Sequence, residues 1–414
     1  MWIVLFACLA LSSLTAWWIH ASVPATSQRN IRPPAPAPLP TSPTHWRGKI
    51  DYVALDARIR AMTADRTIQG LAVAVVENGR LSFVQGYGLT SSVDGEPITA
   101  GTTFRWASLS KTVAGTLGAR LAADGVLSLT EPVATFHTSL RLPANAERTL
   151  SVEQLLSQRS GLPKNAYDNR LESGEAPETL RRDLANVRPI CAPSTCHSYQ
   201  NVAFDAVSEV MAVAAHEPFE AQARERLFAP LGMTSATFGL ASLTAAKHWA
   251  KPHRNGVAAP LLDTYYRLPA EAGVNTNILE LAKWMQAQMG LAPAVLPAEL
   301  VSTIQQARVR TDKPYGNTPF GRALEAPGYG LGMRSFVYKG HRLVGHSGAV
   351  TGYRATMMLD PITKTGIVMM WNSESNLPFR LQAEFFDLAY EAPFTDWLNL
   401  KAGATQTQSK PKGR

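Results

Sequence analysis

The stretch Phe104-Arg105-Trp106-Ala107-Ser108-Leu109-Ser110-Lys111 leads into a run of small and apolar residues that ends at Asp124-Gly125. From Ser108 to Ala123 this reads as a helix, with the glycine after it as a stop signal. Ser108 and Lys111 stand three apart at its start, and residues three apart share a helix face, so the lysine amine reaches the serine hydroxyl. An amine stripped of water there loses its proton more easily and can activate the serine. Alone the pattern is weak: Ser409-Lys410-Pro411-Lys412 repeats it in a polar tail with no pocket. Ser108 needs partners from elsewhere in the chain.

Two further stretches supply them. Tyr-x-Asn occurs as Tyr167-Asp168-Asn169, Tyr199-Gln200-Asn201 and Tyr315-Gly316-Asn317. Only Tyr199 lies between a Pro/Cys loop and a following apolar helix, where a rigid loop projects both side chains. The other two read as loop turns. His346-Ser347-Gly348 falls between two β-type runs, Arg342–Val344 and Arg354–Leu359. A strand edge with small residues lets a substrate backbone approach and pair. The plainer alternative is a core histidine beside a turn.

Other chemistries fit less well. Gly345-His346-Ser347-Gly348-Ala349 nearly matches the G-x-S-x-G elbow of α/β-hydrolases, whose triad runs serine, acid, histidine. No histidine follows His346, so Ser347 has no base in that order. The nine histidines are scattered, without His-Glu-x-x-His, and Walker or dinucleotide glycine patterns are missing. Neither a metal nor another cofactor is expected. Cys191 and Cys196 flank Ala-Pro-Ser-Thr, and the only other cysteine is Cys8 in the apolar leader. In an exported chain that leaves an even pair, read as a local disulfide.

The rest of the chain places these stretches. Residues 51–67 read as an amphipathic helix with Val53, Leu55, Ile59 and Met62 on its apolar face. Gly70–Val76 and Leu81–Tyr87 flank a turn at Asn78-Gly79 and form a hairpin. Helices are expected at 151–158, 201–215, 218–228, 280–289 and 297–307. Residues 329–371 turn β-rich, and Pro378–Tyr390 closes with a helix. Strands at both ends with helices between them imply one sheet assembled from both ends and a helical insertion forming a second lobe.

In their order and broad spacing, Ser108-x-x-Lys111, Tyr199-x-Asn201 and His346-Ser347-Gly348 resemble the serine β-lactamase and penicillin-binding-protein superfamily. The chain looks most like its class C β-lactamase, D,D-carboxypeptidase and esterase group. Phe104–Ser108, Leu155–Leu162, Pro230–Met233 and Gly328–Gly332 support the resemblance, which runs from about residue 55 to 392. It implies an α/β (α+β) two-lobed β-lactamase/transpeptidase-like fold, an antiparallel sheet flanked by helices plus an all-helical lobe at roughly 110–265. It implies that Ser108 is acylated, that Lys111 and Tyr199 shuttle its proton, and that Asn201, His346, Ser347 and Gly348 bind substrate. The backbone N–H groups of Ser108 and Ala349 would form an oxyanion hole. Tyr199 suits its role only if cations near it, Lys111 and His346, lower its pKa. One departure stands out: typical β-lactamases carry Lys-Thr-Gly where this chain has His-Ser-Gly. Histidine is largely neutral above pH 7, so a carboxylate would lose its permanent cation unless Arg354 supplies one. The implied activity is that of a serine hydrolase on a small ester or D-amino-acid peptide. β-Lactam hydrolysis and a non-catalytic penicillin-binding or cell-wall-binding role are the alternatives.

Charge and composition frame this core. With 45% hydrophobic and 17% charged residues, the 414-residue chain is globular. Its net charge of +8 invites a nucleic-acid reading. Yet Arg29, Arg32, Arg47 and Lys49 precede residue 51, and Lys401, Lys410, Lys412 and Arg414 follow residue 400, with no acid in either flank. The segment 51–400 is neutral, so no nucleic-acid partner is expected. Residues 1–21 read as a signal peptide or membrane anchor, offering a tether to the envelope membrane. Residues 22–49 are a Pro-rich linker, 50–395 the hydrolase domain and 403–414 a disordered basic tail. An exported monomer, periplasmic or extracellular, acting on a small-molecule or peptide substrate is expected.

Overall fold

The computed structural model describes residues 46–64, 67–312 and 315–400. The expected leader, most of the expected linker and the expected basic tail lie outside these residues. Among the described residues no helix is long and apolar enough to cross a membrane.

Helix α1 (Tyr52–Thr63) is capped by the Asp51 carboxylate, which accepts from the Ala54 amide. It buries Tyr52, Leu55, Ile59 and Met62, the spacing of one helix face. Val53, counted with that face from the sequence, points outward at 67% exposure. Strands β1 (Gly70–Glu77) and β2 (Arg80–Gly88) form the expected hairpin. Asn78 and Gly79 both take positive φ, the conformation a tight two-residue hairpin turn requires.

Next come helices α2 (Lys111–Ala123), α3 (Val202–Ala215), α4 (Ile278–Gln288) and α5 (Ala298–Gln305). The expected helix at 218–228 divides into an α-helical piece, Phe219–Ala223, and a wider π-turn, Arg224–Phe228. Strands β3 (Val309–Arg310), β4 (Glu325–Tyr329), β5 (Arg334–Tyr338), β6 (His341–Val350), β7 (Tyr353–Asp360) and β8 (Thr365–Trp371) follow, then helix α6 (Leu377–Ala389). β6 is much longer than the expected Arg342–Val344, and it carries His346-Ser347-Gly348 within the strand.

The eight strands form one antiparallel sheet in the order β2-β1-β8-β7-β6-β5-β4-β3. β1 pairs with β8 from Leu71↔Trp371 to Val76↔Gly366, so the first hairpin joins the last strand. β1 is buried on both faces. Leu71, Val73 and Val75 enter a core shared with α1 and α6, while Ala72, Ala74 and Val76 enter the core of α2, α3 and α4. This explains its unbroken apolar run, since each buried aliphatic side chain contributes about 1.5–3 kcal/mol. The fold is the antiparallel sheet flanked by helices that the resemblance implied.

Candidate active site

Ser108 sits on a one-turn 3-10 helix, Ala107–Ser110, that tightens the entry to α2. The turn is held rigidly. The Trp106 amide donates to the Val274 carbonyl at 2.9 Å, and the Trp106 indole donates to Thr276 Oγ1 at 2.6 Å. Ala107 takes φ +51°, a left-handed conformation that costs a residue with a Cβ about 1 kcal/mol. Such strain persists where the surroundings over-determine it, as at functional sites.

Lys111 is fully buried at the first position of α2. Its ammonium lies 3.3 Å from Ser108 Oγ, 2.8 Å from Asn201 Oδ1 and 2.5 Å from Glu271 Oε1. It also lies 4.6 Å from the centre of the Tyr199 ring. The structure thus brings Ser108, Lys111, Tyr199 and Asn201 together. The Leu155–Leu162 stretch explains how. Gln158, fully buried, donates to the Gln200 carbonyl at 3.0 Å and accepts from the Gln200 amide at 2.7 Å. One side chain therefore fixes the peptide between Tyr199 and Asn201.

Two carboxylates were not singled out from the sequence. Glu271, 1% exposed, accepts from both Ser108 Oγ and Lys111 Nζ through Oε1, while its Oε2 is buried without a partner. The amides of Ala270 and Glu271 donate to Asp205 Oδ1, and Asp205 pairs with Arg181 at 3.0 Å. The lone acid in Pro269-Ala270-Glu271-Ala272-Gly273 was its only trace in the chain. Asp168, read as part of a loop turn, accepts from Asn201 Nδ2 at 2.6 Å.

Burial raises the Asp168 carboxyl to about 6, the Asn201 hydrogen bond opposes this, and the Glu271 charge adds to it. A carboxyl raised above its unfolded value of about 3.9 holds an extra proton in the native state between the two values. Its stabilising contribution is complete below the lower value and is lost as pH rises through 6. Asp168→Asn removes that loss. Urea unfolding is expected to show the variant gaining about 1–2 kcal/mol on wild type between pH 4.5 and 7, allowing for partial exposure.

His346-Ser347-Gly348 faces the Ser108 turn. A Cβ on Gly348 would meet the Trp106 carbonyl oxygen at 2.0 Å and the Ser108 amide at 3.0 Å. Only a glycine lets β6 pass this close. Ala349, the next residue, lines the same cleft. His346 is buried, with Nδ1 2.8 Å from the Ser347 carbonyl and Nε2 3.0 Å from the Tyr329 hydroxyl. A carbonyl can only accept, so Nδ1 donates and Nε2 accepts from Tyr329. The Ser347 hydroxyl meets Tyr315 at 3.2 Å and Thr356 at 3.0 Å. Tyr315, also read as part of a loop turn, thus belongs to the cleft wall.

The electrostatics differ from the expectation for Tyr199. Burial pushes its hydroxyl up, the Glu271 charge pushes it further, and Arg334 and Ser108 only oppose this. His346 supplies no cation, because burial and then the charges of Arg334 and Lys111 hold it well below 6.5. Arg354 does not serve the cleft either. Its guanidinium donates to the Val350 and Tyr353 carbonyls. The cleft does hold a cation in Arg334 on β5, 5.4 Å from the centres of both the Tyr199 and Tyr329 rings, and Lys164 lines it as well.

Cys191 and Cys196 are bonded, closing the loop that leads to Tyr199. Ile190 and His197 of this loop join Ser108, Asn201 and Arg334 in lining a cleft of about 680 Å³.

Known proteins show the same architecture. The chain is 26% identical over 367 residues to unguisins hydrolase ungD' of Aspergillus campestris (strain IBT 28561), covering 82% of this chain and 66% of that protein. It therefore spans somewhat less than two thirds of this relative's length. The octameric penicillin-binding protein homologue from Pyrococcus abyssi shares the fold with a TM-score of 0.74 at 22% identity, over 83% of this chain and 78% of that one. The D-alanine carboxypeptidase AmpC from Burkholderia cenocepacia shares it with a TM-score of 0.64 at 20% identity, over 81% and 98%. The family model Beta-lactamase matches residues 55–391. With that match running from α1 to just beyond α6, the chain belongs to the beta-lactamase family.

Proposed function

We propose that this enzyme is acylated on Ser108 by D-amino-acid peptides whose leaving portion ends in a carboxylate, and then hydrolyses the acyl-enzyme. The observation that carries this reading is Arg334. It lines the cleft beside Tyr199 and Tyr329, and among the described residues no acidic side chain is paired with it. A guanidinium is a permanent, forked donor that matches a carboxylate. It takes the place left open by the neutral His346. The likeness to a D-alanine carboxypeptidase supports the same class of substrate. The apolar start of the chain and the Cys191–Cys196 bond support an exported enzyme.

Intact-mass spectrometry tests the acylation. Incubation with D-Ala-D-Ala peptides, penicillins and activated esters is expected to add one acyl mass on Ser108, and Ser108→Ala to abolish it. An unmodified wild type, or equal labelling of the variant, overturns the reading. Arg334→Ala is expected to raise KM about 10–100-fold for a peptide with a free terminal carboxylate, the worth of one charge-assisted contact. For the corresponding terminal amide KM should hardly change. Equal effects on both substrates would remove Arg334 from carboxylate recognition.

A further inference from the structure

Three side-chain oxygens lie within hydrogen-bond reach of Lys111 Nζ. An ammonium has three donors and no lone pair. Lys111 Nζ spends them on Ser108 Oγ, Asn201 Oδ1 and Glu271 Oε1. Ser108 Oγ thus receives a proton from Lys111, and its own single proton points at Glu271 Oε1. An ammonium so placed has no lone pair with which to accept the serine proton. Tyr199 keeps its own proton, held by burial and by the nearby Glu271 charge. The remaining acceptor in contact with Ser108 is the carboxylate of Glu271. Its second oxygen is buried and has no partner among the described residues.

We infer that Glu271 is a catalytic residue, the base that takes the Ser108 proton as the acyl-enzyme forms. The inference rests on Ser108 being the acylated residue and is independent of which substrate acylates it. As Ser108 Oγ bonds to the acyl carbon, its proton moves to Glu271 Oε1 and the carbonyl electrons move onto oxygen. When the tetrahedral adduct collapses, the bond to the leaving nitrogen or oxygen breaks. Lys111 Nζ protonates the leaving group and recovers a proton from Glu271, 2.5 Å away. The serine proton has then left with the leaving group, and Lys111 and Glu271 are as they began. In deacylation water takes the place of Ser108. Its proton passes to Glu271, its oxygen bonds to the acyl carbon, and Lys111 returns a proton to the departing Ser108 Oγ. Asn201, tied to Asp168 on its other side, acts as a positioning residue for Lys111.

Pre-steady-state acylation of Ser108 by an activated ester, followed by mass, tests the inference on the whole chain. A positioned base contributes about 10²–10⁴-fold, so Glu271→Gln, which keeps the shape, is expected to slow acylation at least about 100-fold. Glu271→Ala is expected to be equally slow and to recover with added formate or acetate, more strongly with the more basic carboxylate. A merely structural glutamate gives no such dependence on the basicity of an added acid. Acylation of Glu271→Gln within tenfold of wild type overturns the inference, as does a slow Glu271→Ala that no carboxylate rescues. Should the alanine variant not fold, the glutamine rate decides. Wild type that is never acylated on Ser108 defeats the proposed function instead, which keeps the two failures apart.

Discussion

Lys111→Met is expected to lose at least about 10³-fold in kcat/KM and to unfold about 4–7 °C earlier. The variant keeps the length of the side chain and removes its charge. Lys111 is fully buried, and its ammonium is the cation that faces Glu271, itself 1% exposed. Breaking a buried ion pair by removing one partner costs about 3–5 kcal/mol, because the other charge stays in a medium of low dielectric. In a domain of about 340 residues each kcal/mol moves the midpoint by only about 1–1.5 °C. Three contacts vanish together, those to Ser108, Asn201 and Glu271. The loss of activity should therefore exceed what any one of them contributes. Calorimetry and ester hydrolysis on the same preparation check both halves. A variant with unchanged thermal midpoint would mean that Glu271 finds another partner.

The second large effect is expected at Gly348, where the cause is steric. Gly348→Ala should lower kcat at least about 100-fold while leaving the circular dichroism unchanged. The added methyl would stand 2.0 Å from the Trp106 carbonyl oxygen and 3.0 Å from the Leu109 and Ser108 amides. These are backbone atoms, pinned through Trp106 to Val274 and Thr276, and they do not give way cheaply. Overpacking of this kind costs about 1–3 kcal/mol, and β6 relieves it by moving off the Ser108 turn. That motion carries away Ala349, whose amide the resemblance assigns to an oxyanion hole, and loss of one such donor costs about 10²–10³-fold. Kinetics with a small activated ester separate the two explanations. An effect on KM alone would assign Gly348 to substrate fit rather than to the reacting centre.

Much of the site was legible because it lies in short, locally readable stretches. Ser108 and Lys111 follow from one helical turn, and Tyr199 with Asn201 from a loop running into a helix. The alternation of buried strands fixed the sheet and its two ends. What stayed hidden was written only in three dimensions. Glu271 is a single acid among small residues, and nothing local tells it from a surface glutamate. It becomes visible when Asp205, tied to Arg181, holds its backbone against α3. Arg334 was lost in a strand-like run, because facing a cleft depends on which strand lies beside it. Arg354 misled for the same reason: its side chain folds back onto the carbonyls of Val350 and Tyr353. The protonation of Tyr199 and His346 could not be read either, since burial sets it and burial belongs to the folded state.

The pairing of β1 with β8 gives the molecule a characteristic timing. Val73 meets Met369 across that pair, almost the full length of the domain apart in the chain. During synthesis the amino-terminal hairpin waits for its neighbour until nearly every other element has emerged. Closing so long a loop is entropically slow, and contacts of this range delay folding. Until then β1 presents an unpaired edge, apolar from Leu71 to Val76, the kind of surface on which chains aggregate or chaperones bind. Gly348 reaches the Ser108 turn by a similarly long return. The cleft is therefore among the last parts of the chain to exist, and its appearance reports that the whole domain has closed.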